Sequence, residues 1–155
     1  MTEAALKSTT RQIVVDDVFP HAPEKIWKAL TTRELMARWL KMPMTGFAPV
    51  QGTRFTYQTT PAGQWDGIIH CEVLDVIPHE RLVYSWRSGH ISNAGYGAEL
   101  DTVVTFTLSR VANGTRLRLV HAGFVFPRNE LAHKNMSGGW TQVVTVIGVI
   151  AGEQA

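Results

Sequence analysis

The fold is decided by one stretch near the end of the chain: Gly138-Gly139-Trp140-Thr141-Gln142-Val143-Val144-Thr145-Val146-Ile147-Gly148-Val149-Ile150-Ala151-Gly152. Its Val and Ile content favours a strand, and each glycine inside a helix costs about 1 kcal/mol. Its periodicity favours a helix, because at about 100° per residue one stripe is apolar and the opposite stripe is polar or glycine. A strand-like period of two does not separate the apolar residues from the polar residues and glycines. We therefore predict a helix whose apolar stripe consists of Trp140, Val143, Val144, Ile147, Ile150 and Ala151.

A helix of this composition forms only when packing holds it, so it needs a large apolar surface to lie on. The chain is long enough to supply one, since 155 residues suit a single domain with a substantial core. Hydrophobic residues make up 45% and charged residues 18%, which is typical of a soluble globular protein. We expect one domain over residues 1–155.

Composition also excludes several classes of protein. No stretch offers the ~20 uninterrupted apolar residues of a membrane span, and residues 1–11 lack the apolar core of a signal peptide. Cys71 is the only cysteine, so we expect it to be a small buried hydrophobic residue rather than part of a disulfide or of a cysteine metal site. The net charge of +2 is slight and its basic residues are scattered. We expect a cytoplasmic protein that binds neither nucleic acid nor membrane.

Six segments alternate apolar and polar residues in the manner of antiparallel strands: 12–19, 53–58, 65–77, 81–86, 101–110 and 115–121. The alternation is interrupted near Val73 and Leu74, which predicts a β-bulge. Asn113-Gly114 predicts a tight hairpin between the last two strands. The residues from Arg87 to Glu99 form a long polar connection, which we interpret as functional or mobile.

Two short helices are predicted after the first strand. Pro23 suits a first helical position, and Ile26, Trp27 and Leu30 give residues 24–30 an apolar face. Thr31 and Glu34 have the spacing of a capping box and predict a second helix that ends before Pro43. The sheet still needs a cover on its apolar face, and only the predicted helix at 138–152 is long enough to provide one.

With these elements placed, the chain resembles the START-like (SRPBCC) superfamily, in particular homologues of the activator of heat-shock protein 90 ATPase. The resemblance covers about residues 18–151. It rests on the order and spacing of short runs: APEKIWKALT (22–31), LMARWL (35–40), GTRF (52–55), EVLDV (72–76), ERLVYSW (80–86), GTRL (114–117), HAGF (121–124) and GGW (138–140). It implies an α+β helix-grip fold, in which a curved six-stranded antiparallel sheet wraps a long C-terminal helix and leaves a cavity between them.

Two features depart from this family's pattern. Val143, Val144, Ile147 and Ile150 stand where family members carry leucines, so the cavity wall should differ. We hypothesise that these slimmer side chains leave room beneath the helix. The connection from Arg87 to Glu99 is longer than usual, and it either closes over the cavity or mediates a dimer.

The predicted ligand site consists of side chains on the inward faces of these elements. Aromatic rings of this number either fill the core or line a pocket for an apolar or aromatic small molecule. The candidate ligand-binding residues are Trp39, Phe55, Tyr57, Tyr84, Trp86, Phe106, His121, Trp140, Val143, Val144 and Ile147.

His121 has the inward parity of its strand, so it is either a proton-transfer group near neutral pH or a satisfied core histidine. His70, Glu72 and Asp66 share a face that we interpret as solvated surface. The sequence contains no nucleophile elbow, phosphate loop or zinc-binding helix motif, and His79, His90 and His133 are too dispersed for a zinc site. We expect no cofactor, no metal and no catalytic set.

Three functions follow from these residues and the resemblance. The first is a binding protein that encloses an apolar or aromatic small molecule. The second is an interaction module acting on a chaperone, which the resemblance implies. The third is an enzyme of the polyketide cyclase or aromatase type, with His121, Tyr57 or Tyr84 transferring protons. The protein is expected to be a monomer or a homodimer.

Overall fold

A seven-stranded antiparallel sheet gathers the apolar side chains of the alternating segments on one face, and the structure, a computed structural model, describes residues 10–154 of it. The strand order is β1-β7-β6-β5-β4-β3-β2. The elements in chain order are β1 (Thr10–Phe19), α1 (Pro23–Thr31), α2 (Arg33–Leu40), β2 (Met44–Thr45), β3 (Arg54–Gln58), β4 (Ile68–Ile77), β5 (Arg81–Ser88), β6 (Leu100–Val111), β7 (Gly114–Val125) and α3 (Glu130–Gly152).

The α+β helix-grip fold is confirmed, but the predicted count of six strands is wrong by one. The additional strand is β2, whose Met44 and Thr45 pair with Tyr57 and Thr56 of β3. Two residues are too few to show a period of two, so no sequence pattern marks this strand. Each of the six predicted strands is present.

The predicted C-terminal helix is confirmed and is longer than expected, because α3 begins at Glu130. Trp140, Val144, Ile147 and Ile150 are at most 2% exposed, so the predicted stripe faces the core. Residues 130–137 contain mostly polar and small side chains, which is why the apolar stripe did not reveal them.

Two of the α3 glycines allow close packing against the end of β1 and the connection that follows it. A Cβ on Gly148 would clash with the ring of Phe19, and a Cβ on Gly152 would lie 3.1 Å from the ring of His21. Glycine at these two positions lowers the helix propensity, but it allows the helix to contact the chain beside it closely.

Helices α1 and α2 are confirmed and pack against α3, but the predicted capping box is wrong. Thr31 ends α1, and its hydroxyl donates to the carbonyl oxygen of Trp27 at 2.7 Å. Thr32 is the N-cap residue of α2, yet its hydroxyl donates to the carbonyl oxygen of Lys28 at 2.6 Å. Threonines at the end of a helix readily bond back to the carbonyl four residues earlier, and this competes with capping of the next helix.

The bulge in β4 is confirmed. Register with β5 shifts between Val73 and Asp75, and the extra residue, Leu74, is 39% exposed while Val73 is fully buried. The strand begins at Ile68 rather than at Trp65, which instead forms an isolated bridge with Ala62.

Candidate ligand cavity

A cavity of about 290 Å³ lies between the inner face of the sheet and the N-terminal half of α3. From the sheet, the cavity is lined by Ile69, Trp86, Ser88 and Leu100. From α3 it is lined by side chains between Leu131 and Val143. This volume is near the lower end of the range for small-molecule sites, which is roughly 300–1,000 Å³.

The lining is mostly apolar and rich in aromatic rings. Trp86 and Trp140 meet edge to face, with ring centroids 6.0 Å apart. Trp65 and Tyr96 contact each other at 5.8 Å on the loop side of the cavity. A few polar side chains are interspersed, among them Thr59, Ser88 and Asn135. This combination is typical of pockets that bind apolar ligands and orient them with a small number of polar contacts.

The structure places three of the eleven candidate ligand-binding residues in the lining: Trp86, Trp140 and Val143. The other eight are buried in the core outside the lining: Trp39, Phe55, Tyr57, Tyr84, Phe106, His121, Val144 and Ile147. Strand alternation identified the inward face correctly. It carries no information on which end of that face is left open, and the cavity lies at the end where β4 begins, β5 ends and β6 begins.

Several lining residues were missed by the sequence reasoning. Met136 and Gly139 belong to the first turns of α3, and a Cβ on Gly139 would meet no atom within 4 Å. Met42 follows α2, and Trp65 and Tyr96 lie in connections between strands. The available signal was methionine and glycine beside the aromatic Trp140, since adaptable or absent side chains often border a binding cavity.

Val144 and Ile147 do not leave room beneath the helix, contrary to our hypothesis about slim side chains. They are 1% and 0% exposed and belong to the packed core. Val143 is half-buried and lines the cavity. The space beside α3 instead adjoins Gly139, where no side chain projects from the helix.

His121 connects two walls of the cavity through a directed chain of hydrogen bonds. The indole N–H of Trp140 donates to Nδ1 of His121 at 2.9 Å. The hydroxyl of Thr102 donates to the carbonyl oxygen of Trp86 at 2.9 Å, so its oxygen accepts from Nε2 of His121 at 2.7 Å. Both ring nitrogens are thereby satisfied in one tautomer. The chain fixes the Trp140 ring relative to the backbone at Trp86.

This environment keeps His121 neutral. Burial, with a smaller contribution from the charge of His133, lowers its pKa to about 3. A histidine with this pKa and with both nitrogens bonded neither gives nor takes a proton near neutral pH. The geometry agrees with the alternative of a satisfied core histidine.

Tyr57 and Tyr84 are different, because their hydroxyls are fully enclosed and interact with each other rather than with any other hydrogen-bonding group among residues 10–154. Burial raises the pKa of both phenols, as it raises the pKa of the neighbouring Cys71 thiol. All three groups are therefore neutral.

Residues 89–99 and the connection between β3 and β4 are joined above the cavity. The side chain of Asn93 donates to the carbonyl oxygen of Ala62 at 2.7 Å and accepts from the backbone N–H of Gln64 at 3.3 Å. The hydroxyl of Tyr96 donates to the carbonyl oxygen of Thr60 at 2.6 Å. Three hydrogen bonds thus hold together two connections that both contribute lining residues.

The polar face formed by Asp66, His70 and Glu72 points away from the cavity. Asp66 and His70 are exposed, and Glu72 forms an ion pair with Arg54 at 3.3 Å on the surface. Within residues 10–154 no three His, Cys, Asp or Glu side chains are grouped so that they could hold a metal ion. In the same part of the chain no helix is long and apolar enough to cross a membrane.

Comparison with protein families and solved structures gives one matching family. Residues 20–152 match the family described as Activator of Hsp90 ATPase homolog 1-like protein. No curated protein matches the chain. A crystal structure of a Mesorhizobium loti protein is similar with 34% identity and a TM-score of 0.79, covering 94% of this chain and 99% of that one.

Two more distant structures share the fold. The solution structure of the Aha1 dimer from Colwellia psychrerythraea has 22% identity and a TM-score of 0.65, with 89% of this chain and 93% of that one covered. The crystal structure of CalU16 from Micromonospora echinospora has 22% identity and a TM-score of 0.68, with 92% and 76% covered.

Proposed function

The chain belongs to the family of Activator of Hsp90 ATPase homolog 1-like proteins, and we propose that within it this protein is a cytoplasmic carrier or sensor that encloses an apolar or aromatic small molecule. The observation that carries the proposal is the aromatic cavity beneath the N-terminal half of α3. Its shape is set by parts that are fixed independently of any ligand, because Trp140 is tied to His121 and Trp86 lies on a paired strand. A largely preformed, mostly apolar cavity of this kind is the usual site for a small ligand.

The cavity also has a cover that could open. The two connections above it are held by three hydrogen bonds rather than by a continuous apolar core. Tyr96 is 46% exposed although it lines the cavity, so it lies at the rim between cavity and solvent. Ligand entry through this rim requires only a local rearrangement of residues 89–99.

The first experiment is to denature the purified protein and identify any copurified small molecule by mass spectrometry. The second is to titrate the protein with uncharged aromatic and lipid-like compounds while recording tryptophan fluorescence. Trp65, Trp86 and Trp140 line the cavity, so an aromatic ligand bound there is expected to change that emission. The proposal fails if no molecule copurifies and no compound gives a saturable response.

Action on a chaperone is the second candidate, and the family match favours it. Its test is the ATPase rate of heat-shock protein 90 with and without this protein, and an unchanged rate removes the candidate. Catalysis of the cyclase or aromatase type has less support, because His121 is held neutral between two hydrogen-bond partners.

A further inference from the structure

The walls of the cavity are uncharged. None of the lining residues in the described part of the chain is an aspartate, glutamate, lysine or arginine. Arg87 lies between two lining residues of β5, but its side chain points to the opposite face of the sheet and pairs with Asp101 at 3.2 Å. A carboxylate or phosphate buried in the cavity would therefore lose its hydration without gaining a cation. The cavity suits an uncharged ligand.

Trp86 presents to the cavity an indole N–H that the protein leaves without a partner. Of the three tryptophans that line the cavity, Trp65 donates to the carbonyl oxygen of Ile68 at 3.0 Å and Trp140 donates to His121 at 2.9 Å. Trp86 is 3% exposed, yet its N–H makes no hydrogen bond within the described part of the chain. Its nitrogen is not fully enclosed, and the open space that Trp86 borders is the cavity. The N–H is thus accessible from the cavity.

Ser88 supplies a second donor on the same wall. It follows Trp86 by two residues on β5, so both side chains lie on the inner face of the sheet, about 6–7 Å apart along the strand. Ser88 pairs with Leu100, which also lines the cavity, and its hydroxyl makes no hydrogen bond to another described residue. Both groups belong to the wall as it stands, so a ligand reaches them without any rearrangement of the cavity.

We propose that Trp86 and Ser88 form a polar subsite, and that the ligand is an uncharged aromatic compound with an acceptor oxygen, such as a carbonyl, directed at β5. This inference rests on the proposed binding function. The indole N–H can only donate, so the group that it meets must be an acceptor. A carbonyl oxygen has two lone pairs and accepts from both the indole and the serine hydroxyl. A site that pairs its own polar groups with the ligand discriminates against analogues that lack the acceptor.

Three naphthalenes of similar size test the subsite. 2-Acetylnaphthalene carries a carbonyl, 2-isopropenylnaphthalene has a methylene group in place of that oxygen, and 2-naphthoate carries a carboxylate. Their dissociation constants are measured near neutral pH by equilibrium dialysis, because dialysis does not depend on the number of tryptophans in a variant. The proteins are the wild type, Ser88→Ala, Trp86→Phe and Ser109→Ala. Ser109 is the matched control, because it is an exposed serine of β6 that lies outside the cavity.

The quantity of interest is the ratio of the alkene to the ketone dissociation constant, compared between proteins so that the different hydrophobicities of the probes and any change of cavity size cancel. Ser88→Ala and Trp86→Phe should each lower this ratio by about fivefold, the effect of one neutral hydrogen bond. Ser109→Ala should leave the ratio unchanged. 2-Naphthoate should bind the wild type about tenfold more weakly than the ketone. Ser88→Ala should also keep the melting temperature of the wild type, since its hydroxyl makes no hydrogen bond that the folded protein would lose.

The possible failures are distinguishable. If the neutral probes bind but the ratio in Ser88→Ala and Trp86→Phe is the same as in the wild type, the acceptor oxygen does not meet these donors, so the inference is overturned and the proposed binding function stands. If 2-naphthoate binds as tightly as the ketone, the uncharged wall does not select the ligand, and the inference is likewise overturned. If no probe binds the wild type, the binding function and the inference fail together.

Discussion

Gly138 and Gly139 offer a controlled way to close the cavity. Both lie in α3, both are exposed, and a Cβ on either would meet no atom within 4 Å. Only Gly139 lines the cavity. Leucine at position 139 therefore projects toward the ligand space, whereas leucine at 138 is the matched change that leaves this space alone.

The expected changes in stability follow from two terms. Replacing glycine by leucine in a helix interior gains about 0.8 kcal/mol of helix propensity at either position. Full burial of a leucine side chain adds about 1.5–3 kcal/mol, and because Gly139 is at an open part of the lining we take about 1 kcal/mol. With about 2–4 °C per kcal/mol for a chain of this length, Gly138→Leu should raise the melting temperature by about 2–3 °C and Gly139→Leu by about 5 °C.

Calorimetry measures the melting temperatures, and fluorescence titration with 2-acetylnaphthalene measures binding. Gly138→Leu should bind the probe as the wild type does. Gly139→Leu should be at least as stable as the wild type and bind the probe at least tenfold more weakly, because its side chain occupies part of a 290 Å³ cavity. Equal affinity in the two variants would refute the assignment of the cavity as the binding site. A large loss of stability in Gly139→Leu would show instead that position 139 is close-packed.

Three further predictions concern other parts of the structure. His121 takes up a proton near pH 6.5 in the unfolded protein but only near pH 3 in the folded protein. As the pH drops from 6.5 toward 5, the free energy of unfolding should therefore fall by up to about 1.4 kcal/mol per pH unit because of this residue. His121→Gln should flatten this pH dependence in chemical denaturation, and an unchanged slope would contradict the assignment of a buried neutral histidine. Gly148→Ala should destabilise by about 1–3 kcal/mol in the same assay because its methyl group meets the ring of Phe19, the reverse of the gain expected for Gly138→Ala. Asn93→Ala removes two hydrogen bonds above the cavity, so amide hydrogen exchange should accelerate in residues 89–99 while β6 stays protected. Unchanged protection of residues 89–99 would mean that these bonds do not hold the two connections together.

The sheet and the helix α3 that packs on it were predictable because both depend on regular periodicity. Residues on β5 and β6 alternate strictly, and Leu82, Tyr84, Val104 and Phe106 are fully buried as their parity requires. The long α3 was predictable from its apolar stripe despite unfavourable residue propensities, since tertiary packing outweighs propensity. The two-residue β2 and the local back-bonding of Thr31 were not, because neither produces a periodic pattern.

The position of the cavity was predicted less well than the face on which it lies. Parity placed Tyr57, Phe106 and Trp86 on one face, but only Trp86 reaches the open end. The lining of the open end comes partly from side chains distant in sequence, such as Met42 and Tyr96, which lie in connections whose paths have no sequence period. The hydrogen-bond chain through His121 is of the same kind, since Thr102, Trp140 and His121 come from three separate elements.

The glycines of α3 show why the cavity lies where it does. Gly148 and Gly152 contact Phe19 and His21, so the C-terminal half of the helix lies as close to the rest of the chain as a helix without side chains at those positions permits. Toward the N-terminal half, Gly139 meets nothing, and the lining residues from Leu131 to Val143 border the cavity instead. The same residue type thus brings one end of the helix into contact and leaves space at the other. Sequence alone cannot separate these roles, because the difference lies in what faces each glycine. A side chain added at Gly148 should therefore lower the stability of the protein, and one added at Gly139 should lower only its affinity for a ligand.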